Sequence, residues 1–191
     1  MFVLKKKYFL IIESIKDIDL SNLKKLKKFI IIYRAGKKTE NIAKLLNFRN
    51  LCKSKKIKFF ISNNEKLMKL LKADGLYISS YNKDLRLKRL KISNYKLIGS
   101  AHNMKEINIK LLQGCSNILY SRLFKTNYEQ KKGYMGAIKF NLFIIQNKIN
   151  LVPLGGIRLS NLNKLNMVNC NSLALLSEIK KKPAKIINRL F

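Results

Sequence analysis

The sequence predicts a compact (β/α)8 barrel. Three observations predict it: short apolar runs recur eight times along 191 residues, helical patterns fall between them, and polar and glycine residues gather just after the runs. Alternation of short apolar strands with helical segments implies a parallel sheet buried on both faces. Eight such units suggest closure, in fewer residues than the ~250 typical of the fold. An open doubly wound sheet is the alternative. The expected organisation is one domain spanning residues 1–191.

Tyr8–Ile12 is the first strand. Leu20, Leu23 and Leu26 recur at helical spacing and predict a first helix over Ile18–Lys28. Phe29–Tyr33 (FIIIY) is rich in β-branched residues and reads as a second, fully buried strand ending at Arg34. Thr39 is placed to cap a helix that buries Ile42, Ala43, Leu45 and Leu46 and runs to about Lys55. Ile57–Ile61 is the third strand, followed by Ser62-Asn63-Asn64 and a helix with Leu67, Met68, Leu70 and Leu71. Asp74-Gly75 opens the fourth strand, Leu76–Ile78, which ends in Ser79-Ser80 before a basic helical stretch around Asp84–Leu90.

Lys96–Gly99 is the fifth strand and ends in Ser100-Ala101-His102-Asn103. Met104, Ile107, Leu111 and Leu112 supply the next helical face. Asn117–Tyr120 is the sixth strand, leading into a polar loop, Ser121–Gly136, and a helix over Ala137–Asn147. Leu151–Leu154 is the seventh. It meets Gly155-Gly156-Ile157, and Ser160 is placed to cap a helix bearing Leu162 and Leu165. Ser172–Leu176 is the eighth strand, and Ser177 can begin a last helix, Glu178–Leu190.

The charge is extreme. Lys and Arg number 41 against 10 Asp and Glu, a formal net charge of +31. Such an excess invites a nucleic-acid partner. Against it, the lysines are spread through every segment, as compositional bias would spread them, and no RNP-type aromatic motif or zinc finger is present. The same field would also attract phosphorylated small molecules. Cys52, Cys115 and Cys170 are odd in number and widely spaced, which suits reduced thiols better than a disulfide framework. The apolar run after Lys5–Lys7 is too short for a signal peptide, and no run approaches the ~18 residues of a membrane span. The expectation is a soluble, cytoplasmic protein with no membrane partner.

A barrel of this kind places its active face at the C-terminal strand ends. Those ends carry Arg34, Asn63, Ser100, His102, Lys125, Thr126, Gly155, Gly156 and Ser177. Arginine, hydroxyls, and glycines that expose backbone N–H groups are the chemistry of phosphate recognition. A helix start after Gly155-Gly156 would add its positive dipole end. Carboxylates are scarce, so a Mg²⁺ cage is not read here. His102, the only histidine, can serve as a general acid or base, or can cap the strand-to-helix turn. Gly155-Gly156 can equally be a plain turn, and Ser177 a plain helix cap.

The motif order carries a resemblance. Tyr33-Arg34 is followed by Phe59-x-Ile61-x-Asn63, Ala73-Asp74-Gly75-Leu76-Tyr77-Ile78 and Ile98-Gly99-Ser100-Ala101-His102-Asn103. Phe124-Lys125-Thr126, Pro153-Leu154-Gly155-Gly156-Ile157 and Leu173–Ile179 complete the order. In this order and spacing the chain resembles the thiamine-phosphate synthase/TenI family. The resemblance implies a cytoplasmic barrel, with a homodimer among its expected assemblies, that binds thiazole phosphate. Synthase members couple it to a pyrimidine-methyl diphosphate held by Mg²⁺, whereas TenI members isomerise a thiazole carboxylate phosphate without metal.

By position, the resemblance makes Arg34 the diphosphate arginine, and Ser100 part of the pyrimidine side. It makes Thr126, Gly156 and Ser177 the thiazole-phosphate contacts, and His102 the acid/base of a tautomerase. Asn63, Lys125 and Gly155 lie beside these positions and complete the expected substrate contacts. The chain also departs from the pattern. Ile32 replaces Gln, Gly36 replaces Lys, and Ser62-Asn63 replaces Asn-Asp; Asn82 stands near the second Asp, and Glu129 at a Lys. Both expected Mg²⁺ carboxylates are therefore absent. The reading is a transferase of the synthase type, with a tautomerase or a non-catalytic phosphometabolite-binding barrel as alternatives.

Overall fold

A computed structural model describes residues 7–20, 26–36, 40–126 and 133–181. Eight parallel strands close in chain order into a barrel. They are β1 (Lys7–Ile12), β2 (Phe29–Tyr33), β3 (Lys58–Ser62), β4 (Gly75–Ile78), β5 (Lys96–Ala101), β6 (Asn117–Ser121), β7 (Leu151–Leu154) and β8 (Ser172–Leu175). Closure is made where β8 returns to β1, pairing Tyr8 with Leu173 and Leu10 with Leu175. The α/β barrel expectation therefore holds, and the open sheet does not.

Period-two alternation divides the strand side chains between two cores. Phe9, Ile11, Ile30, Ile32, Phe60, Tyr77, Ile98, Leu119, Val152 and Ala174 fill the barrel interior. Their neighbours, including Tyr8, Leu10, Ile31, Phe59, Leu76, Leu97, Ile118 and Leu173, pack outward against the helical layer. Both faces are buried, so each strand reads as a continuous apolar run. Because Phe60, Ile98 and Leu119 point inward, the same alternation turns Ser62, Ser100 and Ser121 inward one layer higher. Hydroxyls thus replace hydrocarbons at the C-terminal mouth.

The helical layer differs more from expectation. The α-helices are α1 (Ile42–Ser54), α2 (Glu65–Leu70), α3 (Met104–Leu112), α4 (Gly136–Asn147) and α5 (Ser177–Lys181). Four connections are 3-10 turns: Ile15–Asp17, Leu26–Lys28, Leu85–Lys91 and Leu159–Met167. The helix expected from Ile18 does not start there. Asp17 accepts from the backbone N–H of Glu13 and of Ser14, closing one short turn, and Ile18 is extended. Ile18 and Leu20 are still buried. Residues 21–25 of the expected helix, Thr39, Glu129 and the last helix beyond Lys181 lie outside the described residues.

Asn41 caps α1, its Oδ1 accepting from Ala43 N at 2.8 Å. The buried stripe is consequently Leu45, Phe48, Arg49 and Cys52, at i, i+3, i+4 and i+7, while Ile42 and Ala43 face out. In α3 the buried pair is Ile107 and Lys110, and Leu111 and Leu112 are exposed. Arg158, not Ser160, occupies the cap position after β7, with its N–H held by Asn161 Oδ1 at 2.8 Å. Among the described residues no helix is long and apolar enough to cross a membrane.

The Asp74 motif is explained by packing at the opposite end of the barrel from the mouth. Asp74 Oδ2 accepts from Phe59 N at 2.9 Å and meets Arg49 Nη2 at 3.2 Å. Arg49 also donates to Lys72 O through Nε and Nη2, at 3.2 and 3.1 Å. One carboxylate therefore ties α1, the start of β3 and the start of β4 together. Asp74→Ala removes a charged acceptor from two buried donors, which costs about 2 kcal/mol. For a chain of this size that lowers Tm by about 4–8 °C in a thermal melt followed by circular dichroism. An unchanged Tm would refute this bridging role.

Candidate functional site

The C-terminal mouth of the barrel holds a cavity of about 570 Å³. Its wall takes Arg34 from after β2, Tyr77, Ser79, Ser80 and Tyr81 from β4 and its loop, and Ser100 and His102 from β5 and its end. Ser121, Arg122 and Thr126 end or follow β6; Leu154, Gly155, Gly156, Ile157 and Arg158 end or follow β7; Ser177 and Glu178 follow β8. Of the residues singled out in the sequence, Arg34, Ser100, His102, Thr126, Gly155, Gly156 and Ser177 meet here. Asn63 and Lys125 do not line the cavity.

Asn63 stands behind the wall instead. Its backbone adopts φ +52, and its N–H donates to Tyr77 O at 2.9 Å. Its Nδ2 donates to Ser79 Oγ at 2.8 Å and to Tyr81 OH at 2.9 Å. Its Oδ1 accepts from Ser79 N at 3.0 Å and from Asn82 Nδ2 at 3.3 Å. One amide thus fixes the loop that presents Ser79, Ser80 and Tyr81.

From the other side the same loop is held by Lys110, which is fully buried. Its Nζ donates to Asn82 O at 2.6 Å and to Gln113 Oε1 at 2.8 Å, while Gln113 Nε2 donates to the carbonyls of Asn82 and Asp84. Burial pushes the Lys110 ammonium down to about 8. Gly99 makes the space: a Cβ there would lie 2.8 Å from Lys110 Cδ and 3.0 Å from Cys115 Sγ.

These contacts bear on where a metal could be held. The positions where family resemblance places two Mg²⁺ carboxylates carry Ser62-Asn63 and Asn82, whose amides are engaged with each other and with the loop. The nearby Asp84 is turned to Arg86, with Oδ1 at 2.9 Å from Nε and Oδ2 at 3.1 Å from Nη2. Among the described residues no group of three or more His, Cys, Asp or Glu side chains could hold a metal ion. Neutral amides are poor ligands for a hard cation. The described residues at these positions do not fit Mg²⁺.

His102 has a carboxylate partner. Glu106 Oε2 lies 3.0 Å from His102 Nδ1 and accepts from His102 N at 2.7 Å. Asn103 caps α3, accepting from Glu106 N at 3.0 Å, and donates back to Glu106 Oε1 at 3.1 Å. Partial burial alone would raise the Glu106 carboxyl; the hydrogen bonds from His102 and Asn103 outweigh it and hold the group below its ordinary value. A carboxylate at Nδ1 makes that nitrogen the donor and leaves Nε2 as the basic one. Deeper in the wall, burial raises the Tyr77 phenol, opposed by a hydrogen bond with Ser100 and by the charge of Arg34. Arg34 itself donates to Glu13 Oε1 at 2.7 Å.

Gly155 and Gly156 are both left-handed, at φ +92 and +70. The side a Cβ would occupy at Gly156 is filled by backbone, with Phe124 O at 2.3 Å and Lys125 O at 2.7 Å. The glycines therefore let the β7 turn nest against the loop bearing Arg122 and Thr126; Phe124 N donates to Gly155 O at 3.1 Å. The segment after them is a 3-10 run, so the expected α-helix dipole is not formed there. Two cavity residues, Arg122 and Arg158, lie outside the quoted motifs, and strand-end position alone is the signal that points to them. Tyr77 and Glu178 are hidden inside an apolar and a helical pattern, and Tyr81 stands in the loop after Ser79-Ser80.

A family model described as thiamine monophosphate synthase (TMP-TENI) matches residues 19–179. A thiamine-phosphate synthase of Pelagibacter ubique is 29% identical over 181 residues, covering 90% of this chain and 87% of that protein. One of Prochlorococcus marinus is 27% identical over 153 residues, covering 78% of this chain and 44% of that protein. The chain thus spans about half the length of that Prochlorococcus relative. Among solved structures, thiamine phosphate pyrophosphorylase from Pyrococcus furiosus aligns with a TM-score of 0.66, 15% identity and 97% coverage of both chains. KGPDC from Streptococcus mutans aligns at 0.65 with 11% identity, covering 97% of this chain and 95% of that one. At such identities these structures speak for the fold alone.

Two outcomes follow from the geometry. Gly156→Ala adds a methyl against the Phe124–Lys125 backbone at a left-handed position, where strain alone costs about 1–2 kcal/mol. A Tm fall of at least about 2 °C is expected in calorimetry, and a neutral variant would show that the loop gives way freely. Glu106 is depressed in the folded state, so its stabilisation is present above its ordinary value of 4.5 and is lost as pH falls through the folded value. The Tm gap between wild type and Glu106→Gln should therefore be largest near neutral pH and shrink below about pH 4. A gap independent of pH would remove the ionised carboxylate from the explanation.

Proposed function

The chain belongs to the thiamine monophosphate synthase/TenI family, and on that footing we propose that it acts in thiamine biosynthesis on phosphorylated small molecules, in the manner of a thiamine-phosphate synthase. The observation that carries this reading is the composition of the cavity. Arg34 lies on one side of the mouth, and Arg122, Thr126, Gly155, Gly156, Arg158 and Ser177 lie on the other. In an eight-stranded ring the residues after β2 and those after β6 face each other across the barrel axis. Two cationic, hydroxyl-bearing ends separated by an apolar and tyrosine-lined floor suit two phosphorylated partners meeting between them. Thiazole phosphate would take the β6–β8 end and the pyrimidine diphosphate the Arg34 side.

The chemistry asked of the chain is modest. Coupling needs the pyrimidine-methylene carbon and the thiazole nitrogen held in line, with the departing diphosphate stabilised by fixed positive charge. Arg34, Ser100, Ser79 and Ser80 would orient the pyrimidine half. A second reading is favoured by one contact. The His102–Glu106 pair presents a basic Nε2 at the cavity wall, which suits proton transfer in a TenI-type isomerisation of a thiazole carboxylate phosphate. A homodimer belongs to the same proposal, since α4 leaves Ile138, Leu142 and Ile145 exposed at helical spacing. So does a cytoplasmic location, where both substrates would be met.

The test incubates the full chain with thiazole phosphate and pyrimidine-methyl diphosphate, and separately with the thiazole carboxylate phosphate, reading products by mass spectrometry. Thiamine phosphate formed at enzymatic turnover by wild type, and little changed in His102→Ala, is the expected result. Isomerisation abolished in His102→Ala, without coupling, would replace the first reading by the second. Neither product would leave a phosphate-binding barrel without turnover.

A further inference from the structure

The N-terminal end of the barrel, opposite the mouth, holds a second cavity of about 440 Å³. Its floor is Ile30, Phe60 and Ile98, which belong to the barrel interior. Lys7, Lys58, Lys91 and Lys96 stand around it, and among the described residues no carboxylate lines it. Three of the four lysines are placed there by register. Lys7, Lys58 and Lys96 open β1, β3 and β5, each two residues before an inward-facing Phe9, Phe60 or Ile98. Period-two alternation therefore turns all three towards the barrel axis. Alternate strands supply one layer of a barrel interior, so the three share the layer beneath Phe9, Phe60 and Ile98.

Lysine scattered by composition points outward, where neighbouring charges diverge. Here the ammoniums converge. Among the described residues none of the four makes an ion pair. Asp74, the carboxylate whose charge bears on Lys58, is shared by Phe59 N and Arg49 Nη2. The Lys58 ammonium is held below its ordinary value, first by contact with the Lys96 side chain, then by burial and by the charges of Lys96 and Lys7. The Lys91 stem lies across Gly114, which is left-handed at φ +80; a Cβ there would lie 2.7 Å from Lys91 Cδ. The four lysines remain exposed at this end, so a dissolved anion can reach them.

We propose that Lys7, Lys58, Lys91 and Lys96 form an anion-binding site, separate from the mouth, for a small ligand carrying several phosphate charges. Like charges gathered at one opening attract a multivalent anion far more strongly than a monovalent one. An ammonium is a point charge with three rotatable donors and imposes little geometry on its partner. The site therefore selects by charge, a triphosphate over a diphosphate and a diphosphate over a single phosphate. It lies at the other end of the barrel from the chemistry proposed above, and neither depends on the other.

The test is calorimetric titration of the full chain with inorganic tripolyphosphate at about 0.15 M ionic strength, where the dispersed lysine field is screened. Saturable binding is expected, at least about tenfold weaker in Lys58→Gln/Lys96→Gln. The control Lys44→Gln/Lys139→Gln removes the same charge from exposed positions on α1 and α4, away from both cavities, and should change affinity by less than about twofold. ATP separates the sources: affinity equal to that of tripolyphosphate makes the phosphate chain the ligand, and tighter binding assigns a nucleotide. Without ligand, Lys58→Gln should melt no lower than wild type, because it removes a like-charged contact. A lower melting point would mean that the ammoniums are already compensated within the chain, and would overturn the proposal. Equal weakening in both double variants would overturn it in favour of the general lysine field. Undiminished binding in Lys58→Gln/Lys96→Gln would move the anion elsewhere, and no saturable binding would leave no site. A short polyglutamate peptide binding more tightly than tripolyphosphate through the same lysines would replace the small ligand by an acidic protein partner.

Discussion

Everything at the mouth depends on the closure of the sheet. When β8 hydrogen-bonds to β1 the strands lose their edges, and every strand side chain must point either into the barrel or into the helical layer. The interior is then filled by Phe9, Ile11, Ile32, Phe60, Ile98 and Leu119. The larger opening lies where the alternation runs out, at the C-terminal ends. There the inward positions become Ser100 and Ser121, and the loops begin to bring Arg34, His102, Arg122 and Arg158 over the opening. Rigid strands set the position of each group, and short loops carry the chemistry.

Around that opening the loops are stiffened by groups that never reach the cavity. Asn63 holds the β4 loop from one side and the buried Lys110–Gln113 pair holds it from the other. A buried ammonium is costly unless its donors are satisfied, and here a carbonyl and an amide oxygen accept from it. The arrangement uses Gly99 for space, so a residue inside the Ile98–Asn103 motif serves packing behind the wall while Ser100 and His102 serve the wall itself. Asp74, in the other distinctive motif, serves only the far end of the barrel. Motif membership and site membership are different properties of a residue.

That distinction also explains what can be read from the sequence. All eight strands are legible, because burial on both faces writes an uninterrupted apolar run that no other element of this length requires. The helical layer is less so. Leu111 and Leu112 have the spacing of core residues and are exposed, while Lys110 has the character of surface and is fully buried. A helix pattern records average hydrophobicity, and one well-partnered lysine defeats it. The first connection departs for a different reason: Asp17 satisfies backbone donors locally and ends the turn before a helix can propagate. Seven of the nine expected site residues line one cavity. An amide after a strand reads as a ligand contact, and only the tertiary structure reveals that the donors and acceptor of Asn63 are already used. Arg122 and Arg158 escape a motif-led reading because the motifs read in the sequence stop short of their positions.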